Sequence, residues 1–199
     1  SMAGIGTMTY YDPQSGTFGA LGHGITDVDT ARLMPISSGS LMPATVTSVT
    51  KGKNGTPGEL TGDFETDVEL GSLTCNSAGG VFGKLTDTSM VSGEPMPVAR
   101  REEVRCGNAT ILANVDGNQV EEFSIKITKF VENGENGRDM LIRITDERLL
   151  SKTGGIVQGM SGSPILQNGR IVGAVTHVLV SDPTRGYAIL MENMLANES

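Results

Sequence analysis

Between Gln158 and His177 the chain reads QGMSGSPILQNGRIVGAVTH. Ser161 stands there between Gly159 and Gly162, with Ser163 and Pro164 following. Packing alone does not call for that much glycine in one bend. A nucleophile does, because its hydroxyl must stand clear while nearby N–H groups converge on one oxygen. A serine hydroxyl attacks a carbonyl carbon only once a base takes its proton. A neutral imidazole can do so near neutral pH. The chain has two histidines, His23 in FGALGHGITD and His177 at the end of GRIVGAVTH. A carboxylate would complete the set by fixing the imidazole tautomer and stabilising the imidazolium. The chemistry implied is acyl transfer, with the N–H groups of Gly159 and Ser161 as the oxyanion hole. A Gly/Ser-rich turn is the plainer reading of GMSGSP alone; the apolar strands that follow favour the nucleophile.

Chain order tests the alternatives. A nucleophile elbow needs G-x-S-x-G, and here the fifth position is Ser163. No acid lies between Ser161 and His177, which that order also requires. An Asp-His-Ser order could use Asp12, but Pro164 and a hairpin follow the serine where a helix would be needed. The remaining order, His then Asp then Ser, is that of double β-barrels.

The elements that must position these residues read as short strands. In QVEEFSIKITKFV, Phe123, Ile125 and Ile127 share one face and Ser124, Lys126 and Thr128 the other. Met140, Ile142 and Ile144 repeat the pattern, which is the period of a half-buried strand. Asn54-Gly55, Asp116-Gly117, Asn133-Gly134, Asn136-Gly137 and Asn168-Gly169 supply hairpin turns. The expected fold is all-β, with two packed six-stranded barrels and a short C-terminal helix in MENMLANES. One domain spans 1–199, with a first barrel over about 3–88 carrying His23 and a second over about 98–195 carrying Ser161. TSMVSGEPMP connects them.

Fifteen basic against 23 acidic residues leave a net charge of −8, which argues against a nucleic-acid partner. The cluster ARREEVR interleaves both signs and reads as a solvated strand face. No apolar run is long enough to span a bilayer as a helix. Ser1-Met2 reads as a cloning remnant. Cys75 and Cys106 lack metal-ligand spacing; a disulfide and a pair of buried inert thiols both remain open. Asn108-Ala109-Thr110 matches a glycosylation acceptor pattern and reads as a turn.

GALGHGITD around His23, GGIVQGMSGSPI around Ser161 and GAVTHV…DPTRGY beyond it closely resemble the peptidase domain of the stage IV sporulation protein B family. The resemblance covers most of the chain. It implies a chymotrypsin-like serine endopeptidase of spore formation that cleaves itself and a membrane-bound regulator, leading to activation of a sigma factor. It implies a parent with a membrane segment and a PDZ domain, of which this chain would be the excised catalytic part. It implies work outside the cytoplasm, in the space between forespore and mother-cell membranes.

Matched to the family, His23 is the general base, Ser161 the nucleophile and Asp146 the acid. Residues TDERLL…TGG read equally as a helix cap, a turn of helix and a glycine stop. Asp67, at a strand start in the first half, ranks second as the acid, and Asp27, with Asp29 nearby, third. His177, with Thr176 beside it, falls on the strand expected to wall the specificity pocket. The mechanism needs no metal or cofactor. The rival readings are a dormant enzyme awaiting its PDZ partner and a non-catalytic module that binds extended peptides by strand addition.

Overall fold

The alternation in QVEEFSIKITKFV folds as strand β9 (Gln119–Phe130), with Phe123, Ile125 and Ile127 buried and the intervening residues exposed. The computed structural model describes residues 2–198; Ser1 of the Ser1-Met2 pair and Ser199 lie outside the described residues. β9 pairs with β8 (Gly107–Asp116) and with β10 (Met140–Ile144). Strands β11 (Pro164–Gln167), β12 (Arg170–Leu179) and β13 (Asp182–Leu190) close the ring in the order β10-β13-β12-β11-β8-β9. Closure removes exposed strand edges. Ile111, Ile125, Met140, Ile142, Ile165 and Val175 fill the interior. Each such side chain contributes roughly 1.5–3 kcal/mol by leaving water.

The first half departs from the expected second closed barrel. Strands β1 (Met8–Asp12), β2 (Thr17–Ala20), β3 (Ser40–Leu41), β6 (Gly71–Ser77) and β7 (Gly80–Leu85) form an open sheet in the order β1-β2-β7-β6-β3. The missing pair, β4 (Ala44–Thr50) and β5 (Glu59–Phe64), forms a separate hairpin. The reason lies in where its apolar residues go. Val46 and Leu60 join the core of the closed barrel. Val46 exchanges backbone hydrogen bonds with Gly117, and the Leu60 N–H donates to the Gln158 carbonyl. β3, with only two residues, offers too little edge to draw the hairpin back.

The turns follow the sequence. At Asn168-Gly169 φ is 51° and 75°, the left-handed pair a two-residue hairpin requires. The C-terminal helix is α2 (Met191–Ala196). Its Met191 and Met194 join Phe82, Ala174 and Ile189 in a second apolar cluster that binds the open sheet to the barrel. ARREEVR is not a strand face: Arg101–Glu103 form a 3-10 turn with Ala99 and Val104 buried on either side. Its charges pair among themselves and with Arg170. Asn108 belongs to β8, not to a turn. Cys106 is exposed, which removes the alternative of two buried thiols, while Cys75 packs half-buried against the second cluster.

Candidate active site

Ser161 sits in the bend between Gly155 and β11. Gly159 and Gly162 there have φ of 106° and 97°. At Gly162 a Cβ would lie 2.2 Å from the Thr7 carbonyl oxygen and 2.6 Å from the Leu21 nitrogen. Only glycine lets the bend pass that close to two other segments. Thr7 fastens the bend: its N–H donates to the Ser161 carbonyl at 3.0 Å and its Oγ1 to the Gly159 carbonyl at 2.9 Å. Thr9 Oγ1 donates to the Gly162 carbonyl at 2.7 Å. The same Thr7 accepts at its carbonyl from the Leu21 N–H, two residues before His23. One residue thus pins the serine bend and the histidine loop together. Among the described residues, the N–H groups of Gly159 and Ser161 donate to no backbone acceptor.

His23 follows Leu21 and Gly22, both in the left-handed region, with φ of 69° and 73°. For leucine that conformation is strained, and it turns the chain into the cleft. His23, Ser161, Thr176, His177 and Arg138 line one cleft of about 400 Å3. The rings of His23 and His177 lie 5.2 Å apart, tilted by 37°. His23 Nδ1 donates to the Gly24 carbonyl at 2.9 Å, in the tautomer that leaves Nε2 a bare base. Burial pushes the His23 pKa below the ordinary 6.5; the Gly24 bond works against this and the charge of Arg138 adds to it. His177 is pushed down to about 4 by burial, by Arg138 and by His23. Both rings are neutral at pH 7.

The Ser161 hydroxyl donates to the Thr176 carbonyl at 3.1 Å rather than to His23. The Thr176 side chain is buried and donates to the Gly137 carbonyl at 2.6 Å. It therefore presents its carbonyl, not its hydroxyl, to Ser161. Because that hydroxyl is spent, Nδ1 of His177, at 2.9 Å, donates to it.

The structure brings none of the three candidate acids into a hydrogen bond with His23. Asp146 is the N-cap of α1 (Glu147–Thr153), accepting from the Arg148 N–H, with Gly154 as the left-handed stop. Its carboxylate also accepts from the Ser124 N–H and pairs with the Arg148 guanidinium at 3.2 Å. Those bonds hold its pKa below the usual carboxylate value, the Arg148 side-chain bond first. None of its bonds reaches His23. Asp67 is exposed between β5 and β6. Asp27 closes its own turn through the N–H groups of Asp29 and Thr30. The Gly24 carbonyl occupies the place on Nδ1 where the carboxylate was expected. Asp146→Asn is therefore expected to keep its turnover within a few-fold, because asparagine caps as well as aspartate, and to lose on the order of 1 kcal/mol from the pair with the exposed Arg148. Turnover and melting temperature measured together check this; lost turnover at unchanged melting would return Asp146 to the site.

Of the residues singled out in the sequence, His23, Gly159, Ser161, Thr176 and His177 line the cleft; Arg138, which also lines it, and Thr7, which fastens the bend, were missed. Thr7 gave no signal, lying 152 residues from Gly159. Arg138 follows Asn136-Gly137 and was masked by the turn reading.

The sequence profile described as SpoIVB peptidase S55 matches residues 1–195. A comparison with curated proteins gives no match. Among solved structures the chain is similar to the active form of the Rv3671c protease from M. tuberculosis, 13% identical, covering 84% of this chain and 92% of that one with a TM-score of 0.49. The inactive form of the Rv3671c protease is 16% identical, covering 80% and 84%, with a TM-score of 0.48. Deg5 is 14% identical, covering 70% and 61%, with a TM-score of 0.45. With the profile spanning nearly the whole chain, the protein belongs to the SpoIVB peptidase S55 family and is a serine protease.

Proposed function

We propose that Ser161 is the nucleophile and His23 its general base, with the N–H groups of Gly159 and Ser161 as the oxyanion hole. The observation that carries this is the shared cleft, lined both by a neutral His23 whose Nδ1 is engaged and whose Nε2 is bare, and by the serine bend with its two unengaged N–H groups. The serine hydroxyl leaves the Thr176 carbonyl by a χ1 rotation and gives its proton to Nε2 as it attacks. The imidazolium then protonates the leaving amine, and water releases the acyl group. The Gly24 carbonyl holds the tautomer without supplying a negative charge. In the carboxylate-backed template that charge also stabilises the imidazolium, so without it slow, limited cleavage fits this site better than digestion. Thr176 and His177 wall the substrate side. The family supports a sporulation role: cleavage of the protein itself and of a membrane-bound regulator, upstream of sigma-factor activation. On this reading the work is extracytoplasmic, between forespore and mother-cell membranes, with a PDZ domain as partner.

A dormant state is favoured by one observation, the Ser161 hydroxyl held on Thr176. Fluorophosphonate treatment followed by mass mapping tests both readings. A stoichiometric adduct on Ser161 supports an assembled site; no adduct under native conditions supports dormancy and counts against the mechanism.

The acid limb of kcat/KM reports protonation of His23. Burial depresses that pKa, so activity is expected to persist below pH 6.5, into the range where an exposed histidine is already charged. Stability runs in the same direction. The unfolded state binds protons on both histidines from pH 6.5 downward, and the folded state resists until about 4 at His177. Folded stability is therefore full above 6.5 and declines as pH falls towards 4. A kcat/KM profile with its acid midpoint above 6.5 would contradict the assignment of His23.

A further inference from the structure

Arg138 is the one charged side chain lining the cleft among the described residues. It lies in the turn between β9 and β10, where its N–H donates to the Glu135 carbonyl. That turn is fixed against the site: the neighbouring Gly137 carbonyl accepts from Thr176, whose own carbonyl receives the Ser161 hydroxyl. The guanidinium lies 5.7 Å from the centre of the Tyr187 ring. Among the described residues it forms no ion pair, although the whole molecule carries 23 acids against 15 bases. Its acidic sequence neighbour Asp139 is committed elsewhere, accepting from the Leu190 N–H and the Asn193 amide.

An arginine held half-buried beside a nucleophile, with no carboxylate of its own, is an anion site awaiting an anion. Its planar fork suits a carboxylate, and a partly dehydrated cleft strengthens the pair. The two nearby imidazoles are neutral and do not compete for the anion. The same positive charge disfavours a metal cation on His23 and His177. We infer that Arg138 makes the cleft a subsite for a carboxylate side chain, so that the protein selects peptides with Glu or Asp beside the scissile bond. This rests on Ser161 being the nucleophile.

Matched peptidyl phosphonates that differ only as Glu against Gln at the first or second residue before the reactive phosphorus test it, with Ser161 adduct formation timed by mass spectrometry. Wild type is expected to react on the order of 10- to 100-fold faster with the Glu member of at least one pair, the range a charged hydrogen bond supplies. Arg138→Gln should bring that ratio to about one. Arg138→Lys, which keeps the charge but not the fork, should retain part of it, and melting temperatures confirm that both variants fold. Equal Glu and Gln rates at both positions in wild type, or an unchanged preference in Arg138→Gln, would overturn the subsite while leaving the nucleophile in place. If Ser161 takes up neither these probes nor a plain fluorophosphonate, the nucleophile assignment fails and the subsite with it.

Discussion

Ser161→Ala is expected to abolish peptide-bond cleavage, by at least about 10⁴-fold, in a protein that still folds. The variant loses one oxygen and one hydrogen bond, to the Thr176 carbonyl. The residue is half-buried, so no large cavity forms, and the stability change should stay near 1 kcal/mol or below. The bend itself is held by groups the substitution leaves alone, the Ser161 carbonyl on Thr7 and the Gly162 carbonyl on Thr9. Turnover of a cleavable peptide and thermal melting, measured on one preparation, give the answer. Residual cleavage within tenfold of wild type would remove Ser161 from the chemistry.

His23→Ala should match it in size and should not add to it. Without a base the hydroxyl is not activated; without the hydroxyl the base has nothing to deprotonate. The double variant should therefore sit within a few-fold of either single one. His177 supplies a sharp control, because its ring lies 5.2 Å from that of His23 in the same cleft. Its Nδ1–H is spent on Thr176, which leaves its Nε2 as a second bare base. If His23→Ala retains substantial turnover that disappears in the His23→Ala, His177→Ala pair, His177 is the working base and the assignment reverses.

The strands were legible because their signals are local. Phe123, Ile125 and Ile127 announce a period of two, and Asn168-Gly169 announces a turn through its own backbone preference. The helix cap at Asp146 was legible for the same reason, and its motif match to a family acid obscured it. The hairpin β4–β5 was misplaced because alternation shows that a strand has a buried face, not which core it faces. Val46 and Leu60 would satisfy either core, and the closed barrel takes them. The carbonyl on His23 Nδ1 was invisible because any residue carries one; only the path of the chain through Leu21 and Gly22 aims that of Gly24. Arg138 could not be read as a cleft residue until the turn that holds it was seen to rest on Thr176.

Thr7 has a consequence for the time course of folding. It holds the serine bend across 152 residues of sequence, and Thr9 does so across 153. Contacts of such separation form late, after the intervening chain has lost most of its conformational freedom. On a ribosome Thr7 and Thr9 emerge well before the bend they fasten. The surroundings of Ser161 are then among the last features to take shape, so nascent and half-folded chains carry the serine without its finished bend. A protease built this way stays harmless to its own partly folded neighbours until Thr7 and Thr9 have met the bend.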